Sequence, residues 1–469
     1  MSRRILLALA LVAFMALPAS AAVQNVKVSG SIDSTWLVRD NFDLGKETGH
    51  DFYQNLLITQ SILRIDADLT DNVSAVIQLI NEREWGDEDE TATSGAPNTT
   101  EVDIDLAYVT LREMLYSPLT VIIGRQILRY GNAFIIGDIK TNNATAGRLS
   151  VVADDLSKRK AFDAVRAILD YDPLTVDLIA ARVDENSTLG RINKNDVNLF
   201  GINTNWKLQD ERNSDVEAYF FAKIDRSVEN NVSGAAADTV YTPGLRVASN
   251  PIDNLYTSAE IAWQFGNKTH AAATTSPDNL RRDAMGLQLI SSYAIPLEAV
   301  AKYSPVFSSS YTLVTGDSNP TDLRHVSQGS RNVYTAWDPM FEDQGGGTIY
   351  NSIMDLSNCQ VYNSALQFVP FEDITAKLSY TTLYLDKEFD NAAGTSTWAR
   401  TSPDGVGQTY NINVEEDHLG YEVDVDLMYD YTEDVQIGFS AGWFVPGDVF
   451  HESNDEVAKQ FLTNVNVNF

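Results

Sequence analysis

Apolar and polar residues alternate with a period of two over most of this chain. Val26, Val28, Ile32, Trp36 and Val38 have one parity; Lys27, Ser29, Ser31, Asp33 and Arg39 have the other. That spacing predicts a strand with one apolar and one polar face. The same syntax returns in Leu63, Ile65, Ala67 and Leu69 against Arg64, Asp66 and Asp68, then in Ala75, Ile77 and Leu79 against Gln78, Glu82 and Glu84. Ile104, Leu106 and Tyr108 oppose Asp103 and Asp105. Further strands are predicted near 119–128, 161–171, 174–184, 196–208, 214–226, 242–250, 254–266, 283–294, 306–316, 357–369, 373–386, 419–430, 434–445 and 459–469. The total is about eighteen, each near the length that a tilted membrane-spanning strand needs. The last strand sets Phe461, Thr463, Val465, Val467 and Phe469 against Leu462, Asn464, Asn466 and Asn468, and the sequence stops on the aromatic ring.

A free apolar edge on a soluble sheet invites aggregation. The closing strand of a membrane barrel instead meets lipid on that face and has both edges paired. Two further patterns point the same way. Connections after even-numbered strands are mostly short, as at Thr70-Asp71-Asn72, Tyr171-Asp172-Pro173 and Asn250 to Asp253; those after odd-numbered strands are mostly long, as at 86–101, 129–160, 317–356 and 387–418. Outward aromatics gather at strand ends, with Trp36, Trp85, Trp263, Phe265 and Trp443 at one end and Tyr108, Tyr171, Trp206, Tyr293 and Phe469 at the other. Two such girdles mark the two membrane interfaces. The fold class that follows is all-β: a transmembrane antiparallel up-and-down barrel of about 18 strands with short periplasmic turns and long extracellular loops.

Residues 22–469 form that barrel. Residues 1–21 read as a secretory signal peptide, with Arg3 and Arg4 ahead of the apolar run Ile5 to Leu17 and the small-residue site Ala19-Ser20-Ala21. The expected location is the bacterial outer membrane, reached by export with cleavage of the leader. The expected partners are the lipid bilayer, surface lipopolysaccharide, the outer-membrane barrel assembly machinery, which would read Phe469 as an assembly signal, and a hydrophilic solute.

Composition removes several classes. The formal net charge is -31, which argues against a nucleic-acid partner. Charged residues are 21% of the chain and hydrophobic ones 44%, the balance of neither an acidic disordered tail nor a helical membrane protein. Cys359 stands alone, so no internal disulfide is expected. The five histidines fall in separate loops or at strand rims, with only His418 beside Asp417 offering anything like a catalytic pair. No enzyme, metal site or cofactor is expected. The acidic run Asp87-Glu88-Asp89-Glu90 could share divalent cations with surface lipid.

A barrel of this size leaves an aqueous lumen, and its polar face carries both signs of charge. Candidate pore-lining and selectivity residues are Arg64, Asp66, Asp103, Asp105, Arg125, Arg129, Arg166, Glu260, Lys377, Asp424 and Asp426. Charged rings at a constriction produce selectivity. The first strand starts too close to the leader to leave room for a plug domain, so transport is expected to be passive and the constriction to come from infolded loops. Tyr130 to Lys160, apolar at Phe134, Ile135 and Ile136, is the first such loop; Asp317 to Leu356, with Gly345-Gly346-Gly347 at its tip, is the second.

Three stretches carry a resemblance. Gly124-Arg125-Gln126 followed by Tyr130-Gly131-Asn132 resembles the Gly-Arg-Gln…Tyr-Gly-Asp motif of the alginate-export porin family, with Asn132 where the motif has an acid. Trp337-Asp338-Pro339-Met340-Phe341 is similar to that family's Asp-Pro-Leu-Phe loop. Gly420-Tyr421-Glu422-Val423-Asp424 and Phe444-Val445-Pro446-Gly447-Asp448 resemble its C-terminal repeat. The resemblance implies an eighteen-stranded outer-membrane channel, its name-giving member exporting an anionic polysaccharide through an arginine-rich constriction. The function expected is a passive porin-like channel for hydrophilic solutes, with export of an anionic polysaccharide such as alginate included. The second reading is a surface binding or adhesion barrel whose lumen is closed by loops.

Overall fold

A computed structural model describes residues 25–45, 53–86, 102–139, 154–185, 196–226, 236–269, 279–318, 333–344, 347–389, 397–401 and 407–469. The leader, the run 87–90 and Gly345-Gly346 lie outside these residues. The strands are β1 (Asn25–Asp40), β2 (Tyr53–Thr70), β3 (Val73–Glu84), β4 (Asp103–Leu111), β5 (Leu119–Ile127), β6 (Ala161–Asp170) and β7 (Leu174–Glu185). Next come β8 (Asp196–Lys207), β9 (Asp215–Asp225), β10 (Asp238–Ile252), β11 (Leu255–Thr269), β12 (Asn279–Ala294) and β13 (Val306–Val314). After the two-residue β14 (Val333–Tyr334) follow β15 (Cys359–Phe371) and β16 (Ile374–Leu385). A small hairpin, β17 (Thr397–Thr401) with β18 (Gly407–Asn411), precedes β19 (His418–Asp430), β20 (Val435–Pro446) and β21 (Ala458–Asn468). Leaving out β14, β17 and β18, which sit within long connections, eighteen strands pair in sequence order, all antiparallel.

Closure is made by β1 and β21, in register from Ser31 with Asn468 to Asp40 with Lys459. At the seam Gly30 and Phe469 exchange both backbone hydrogen bonds, at 2.9 and 3.0 Å. A β-carbon on Gly30 would lie 2.5 Å from the Ile62 carbonyl oxygen and 2.7 Å from the Phe469 ring. Glycine therefore lets the terminal ring lie across the first strand.

Exposure follows the alternation. Val28, Ile32, Leu63, Ile123, Val165, Leu178, Leu289, Leu378 and Phe439 form an apolar outer surface, while Asp33, Gln60, Glu82, Asp177, Glu217, Gln264 and Glu422 are turned inward. Trp36, Trp85, Trp263 and Phe265 are exposed at the long-loop rim, and Tyr171, Trp206 and Phe469 at the short-turn rim. The upper tryptophans keep a polar handle: Trp36 Nε1 donates to Asn55 Oδ1 at 2.7 Å and Trp85 Nε1 to Thr59 Oγ1 at 2.9 Å. Amphipathic rings settle at such interfaces because one edge is apolar and the other is wet.

Two local irregularities alter the expected pattern. The β3–β4 register shifts between Gln78 and Leu79, so that Gln78 faces Leu106 while Leu79 faces Ile104. This bulge reverses parity downstream, as an inserted residue must. Leu106 becomes buried inside, and Tyr108, opposite inward Val76, belongs to the lumen rather than to the aromatic girdle. In β10, Pro243 lacks the N–H that a ladder needs. Pairing with β11 accordingly skips from Tyr241 to Gly244, whereas pairing with β9 runs through.

Because the seam couples the two ends of the chain, Phe469→Ala and Gly30→Val are each expected to lower the yield of heat-modifiable barrel in membrane fractions. Gel mobility with and without boiling measures it. Yields equal to the parent for both variants would show that barrel formation does not depend on the seam contact.

Candidate functional site

The lumen is narrowed by two connections that fold inward. Residues 128–139 leave β5 and bury Phe134, Ile135 and Ile136 inside the barrel. Residues 333–344 and 347–357 enter from the opposite side and bury Trp337, Met340, Phe341, Ile349 and Ile353. The two pair with each other through backbone. Phe341 N–H donates to the Ile135 carbonyl at 3.1 Å, Gly137 N–H to the Phe341 carbonyl at 2.7 Å, and Asp343 N–H to the Ala133 carbonyl at 2.9 Å. Phe134 stacks on Trp337 at 5.5 Å, and Phe341 meets Phe162 of β6 edge-on at 5.6 Å. An apolar core thus forms where a simple pore would hold water, and it fastens both loops against the β6–β12 wall.

Polar anchors complete the docking. Tyr130 donates to Asp177 Oδ2 at 2.9 Å, and Arg166 reaches the same oxygen through Nε at 2.6 Å. Gly131 has φ +52, and a β-carbon there would come within 3.1 Å of Arg246 Cδ and Glu217 Oε2. Only glycine combines that conformation with so close an approach. Asn132 Oδ1 accepts from Arg246 Nε at 3.2 Å, and its Nδ2 donates to Ser258 Oγ and Gln288 Oε1, both at 3.2 Å. An aspartate could not make those last two bonds, which accounts for the amide at this place.

In the second loop, Lys223 Nζ donates to Asp338 Oδ1 at 3.1 Å, and Gln264 exchanges two hydrogen bonds with the Asp338 backbone at 2.6 and 2.8 Å. Burial alone would raise the Asp338 carboxyl; Lys223, Arg282 and Lys268 together hold it well below the usual carboxylate range. Farther along, Glu422 of β19 accepts the backbone N–H groups of Thr348, Ile349 and Tyr350 at 2.6, 2.8 and 2.7 Å. Thr348 Oγ1 donates to Asp424 Oδ1 at 2.8 Å.

Three charges beside these loops remain partly exposed. Arg129 is 51% exposed, Asp103 45% and Lys160 36%. Arg282, Glu217 and Glu260 on the β9–β12 wall are almost sealed. Arg129 pairs with Asp343, and Lys160 with the same carboxylate at 2.7 Å. Lys158 Nζ lies 3.0 Å from Asp33, and Arg159 bridges Glu82 at 3.0 Å and Asp103. Arg159 is largely buried with Glu82, whereas Arg129 and Lys160 stay partly exposed.

Of the residues expected to line the pore, Arg64 and Asp66 form one lumenal ion pair at 2.8 Å. Asp105 is buried and accepts from Gln78 Nε2 at 2.6 Å. Glu260 accepts from Tyr219 at 2.7 Å, and Asp426 from Ser440 at 2.6 Å. Lys377 lies opposite Asp426 across β16 and β19. Arg125 is different. Its strand partners are Ala107 and Asp163, it shares parity with exposed Ile123 and Ile127, and Asp163 is 63% exposed next to inward Phe162. Arg125 belongs to the outer wall and is removed from the lining. The run Lys158-Arg159-Lys160 went unread in the sequence, although three consecutive bases in so acidic a chain are a visible signal. Among the described residues no group of His, Cys, Asp and Glu is placed to hold a metal ion.

A closed barrel with a charged, wet lumen narrowed by its own loops is a passive outer-membrane channel of the porin type. The family model described as alginate export matches residues 25–464, and the chain belongs to that family. Its fold is also that of Pseudomonas aeruginosa porins. OpdK, solved with vanillate, has a TM-score of 0.56 at 10% identity, covering 95% of this chain and 99% of that one. OpdQ has 0.54 at 11%, covering 96% and 99%, and OccK8 (OprE) has 0.53 at 10%, covering 95% and 98%. No sequence among the curated proteins matches. Family and fold are those of transport porins rather than enzymes.

One loop carboxyl makes docking pH-dependent. Burial pushes Glu342 up to about 8, with Asp343, Asp138 and Asp355 adding to the effect against the hydrogen bond from Gln344 N–H. An undocked Glu342 would titrate near its ordinary value of about 4.3. Between those values the docked loop holds the extra proton, so docking weakens as pH rises through the window. Single-channel recordings from about pH 6 to pH 9 should therefore show larger or more frequent openings at the alkaline end. Glu342→Gln should flatten that dependence; an unchanged pH profile in the variant would rule out this carboxyl as its source.

Proposed function

We propose that the channel passes hydrophilic acidic saccharides, an anionic polysaccharide such as alginate among them, by diffusion along a gradient. The observation that carries this reading is the group of half-exposed bases beside the infolded loops. Arg129 and Lys160 share Asp343, a carboxylate borne on the loop itself. A carboxylate on a passing solute can take the place of Asp343 without leaving either base unpaired. Exchange among equivalent partners keeps binding weak enough for release, as conduction requires.

The short-turn rim opposes this preference. Each of its eight connections carries an exposed carboxylate, Asp71, Glu113, Asp172, Asp210, Asp253, Glu298, Asp373 and Asp434. Those charges surround the mouth, where mobile ions screen them over a Debye length of about 8 Å at physiological salt. Contact with Arg129 and Lys160 in the narrow section leaves less room for screening ions. The long loops are taken to face outward and the short turns the periplasm. Residues 1–21 serve as a cleaved leader, the assembly machinery receives the closing strand with Phe469, and lipopolysaccharide surrounds the outer rim.

Planar-bilayer recording tests the proposal. The parent should conduct; complete absence of conductance would favour the loop-closed binding barrel. In a salt gradient Arg129→Ala with Lys160→Ala should shift the reversal potential toward cations and weaken block by oligouronates. Arg125→Ala should change neither. Identical reversal potentials and block for parent and double variant would show that these bases do not select.

A further inference from the structure

The Gly-Arg-Gln stretch contributes nothing to the lumen through its arginine, and the outer wall around Arg125 is unusual for a lipid-facing surface. Ile123, Val165, Ala180 and Phe200 lie in one register row across β5 to β8. The next outward row toward the long loops is Arg125, Asp163 and Arg182, ending at buried Asn198. An apolar row gives way to a charged one within two residues. Arginine on the lipid face of a barrel costs about 2–4 kcal/mol at the bilayer midplane and close to nothing near the interface. The row is therefore placed at the boundary between acyl chains and headgroups.

Arg125 and Asp163 are incompletely matched by each other. Arg125 Nη1 is 3.6 Å from Asp163 Oδ2, beyond hydrogen-bond reach. Arg125 Nε is buried with no hydrogen-bond partner. Arg182 reaches Asp196 at 3.0 Å yet stays 51% exposed, and Asp163 is 63% exposed. Two guanidiniums thus flank one accessible carboxylate on three adjacent strands, directly above an apolar strip.

We propose that this row is a binding site for the headgroup of a phosphorylated glycolipid in the leaflet at the long-loop rim. A phosphate takes the forked donors of Arg125 and Arg182, a sugar hydroxyl beside it donates to Asp163, and acyl chains lie along Ile123, Val165 and Phe200. Guanidinium matches phosphate oxygens in geometry as well as charge, and a hydroxyl satisfies a carboxylate that would repel the phosphate. The site deepens the outer-membrane reading above, and it is independent of which solute the lumen carries.

The test uses the whole barrel in detergent micelles, with bound lipid counted by native mass spectrometry. The probes are bisphosphorylated lipid A, phosphatidylglycerol and inorganic phosphate. Lipid A should bind best, phosphatidylglycerol less well for want of ring hydroxyls, and inorganic phosphate should not displace lipid A. Arg125→Ala with Arg182→Ala should lower lipid A affinity about tenfold or more, and Arg125→Lys with Arg182→Lys should lower it partway. Conductance of the lysine variant should equal that of the parent, which separates this site from the lumenal one and verifies folding. Equal lipid A binding by parent and both variants overturns the proposal. So does displacement of lipid A by inorganic phosphate, which would mark a general anion site.

Discussion

The constraint on which everything else rests is that hydrocarbon offers no hydrogen bonds to a backbone. Each strand must give its N–H and C=O groups to two neighbours, and only a closed sheet leaves no edge. The β1–β21 seam meets that constraint, with Gly30 and Phe469 as its last rung. Closure fixes the rest in turn. The outward face must be apolar because it meets lipid, the inward face can be polar because it meets water, and eighteen strands enclose more space than side chains alone fill.

The lumen is then a problem of its own, because it is wide and its wall is charged. Loops solve part of it by bringing an apolar core with them, Phe134, Ile136, Trp337 and Phe341 packing against Phe162 and one another. They also bring polar groups that pair with charges on the wall. Glu422 has three backbone donors from the second loop, and Asp338 meets Lys223 and Arg282. Breaking one partner out of such a set leaves a buried charge uncompensated, which is more costly than the pair is stabilising. On the β1–β3 side the segment from Asp155 to Arg159 covers the wall as well, pairing with Arg39, Gln60, Glu82 and Asp33, while Arg129 and Lys160 stay partly exposed. Narrowing thus comes from loops held to the wall on several sides, by Lys223 and Gln264, by Glu422 and by Glu82.

Much of this was legible along the chain. Strand number, the alternation of short and long connections, and the infolding of Phe134, Ile135 and Ile136 all follow from local pattern. Side-chain direction has period two and apolar residues in a loop must find cover. Tyr108 and Arg125 show where local pattern stops. Tyr108 was set on the wrong face by one inserted residue near Asp105, a bulge that leaves no mark in composition. Arg125 sits in a stretch where apolar residues occur at both parities, Val121, Ile122, Ile123 and Ile127, so alternation alone cannot orient it.

What the sequence by itself determined is what depends on neighbours in the chain: the strands, most of their faces and the identity of the loops that turn inward. What only the tertiary structure decided is everything that depends on neighbours across the barrel. Arg129 and Lys160 share Asp343, Gly131 fits between Arg246 and Glu217, and Asp163 lies in register between Arg125 and Arg182. Those partners are separated by tens to hundreds of residues along the chain. Strand register, the bulge and the path of each loop through the lumen bring them together, and no local spacing encodes all three.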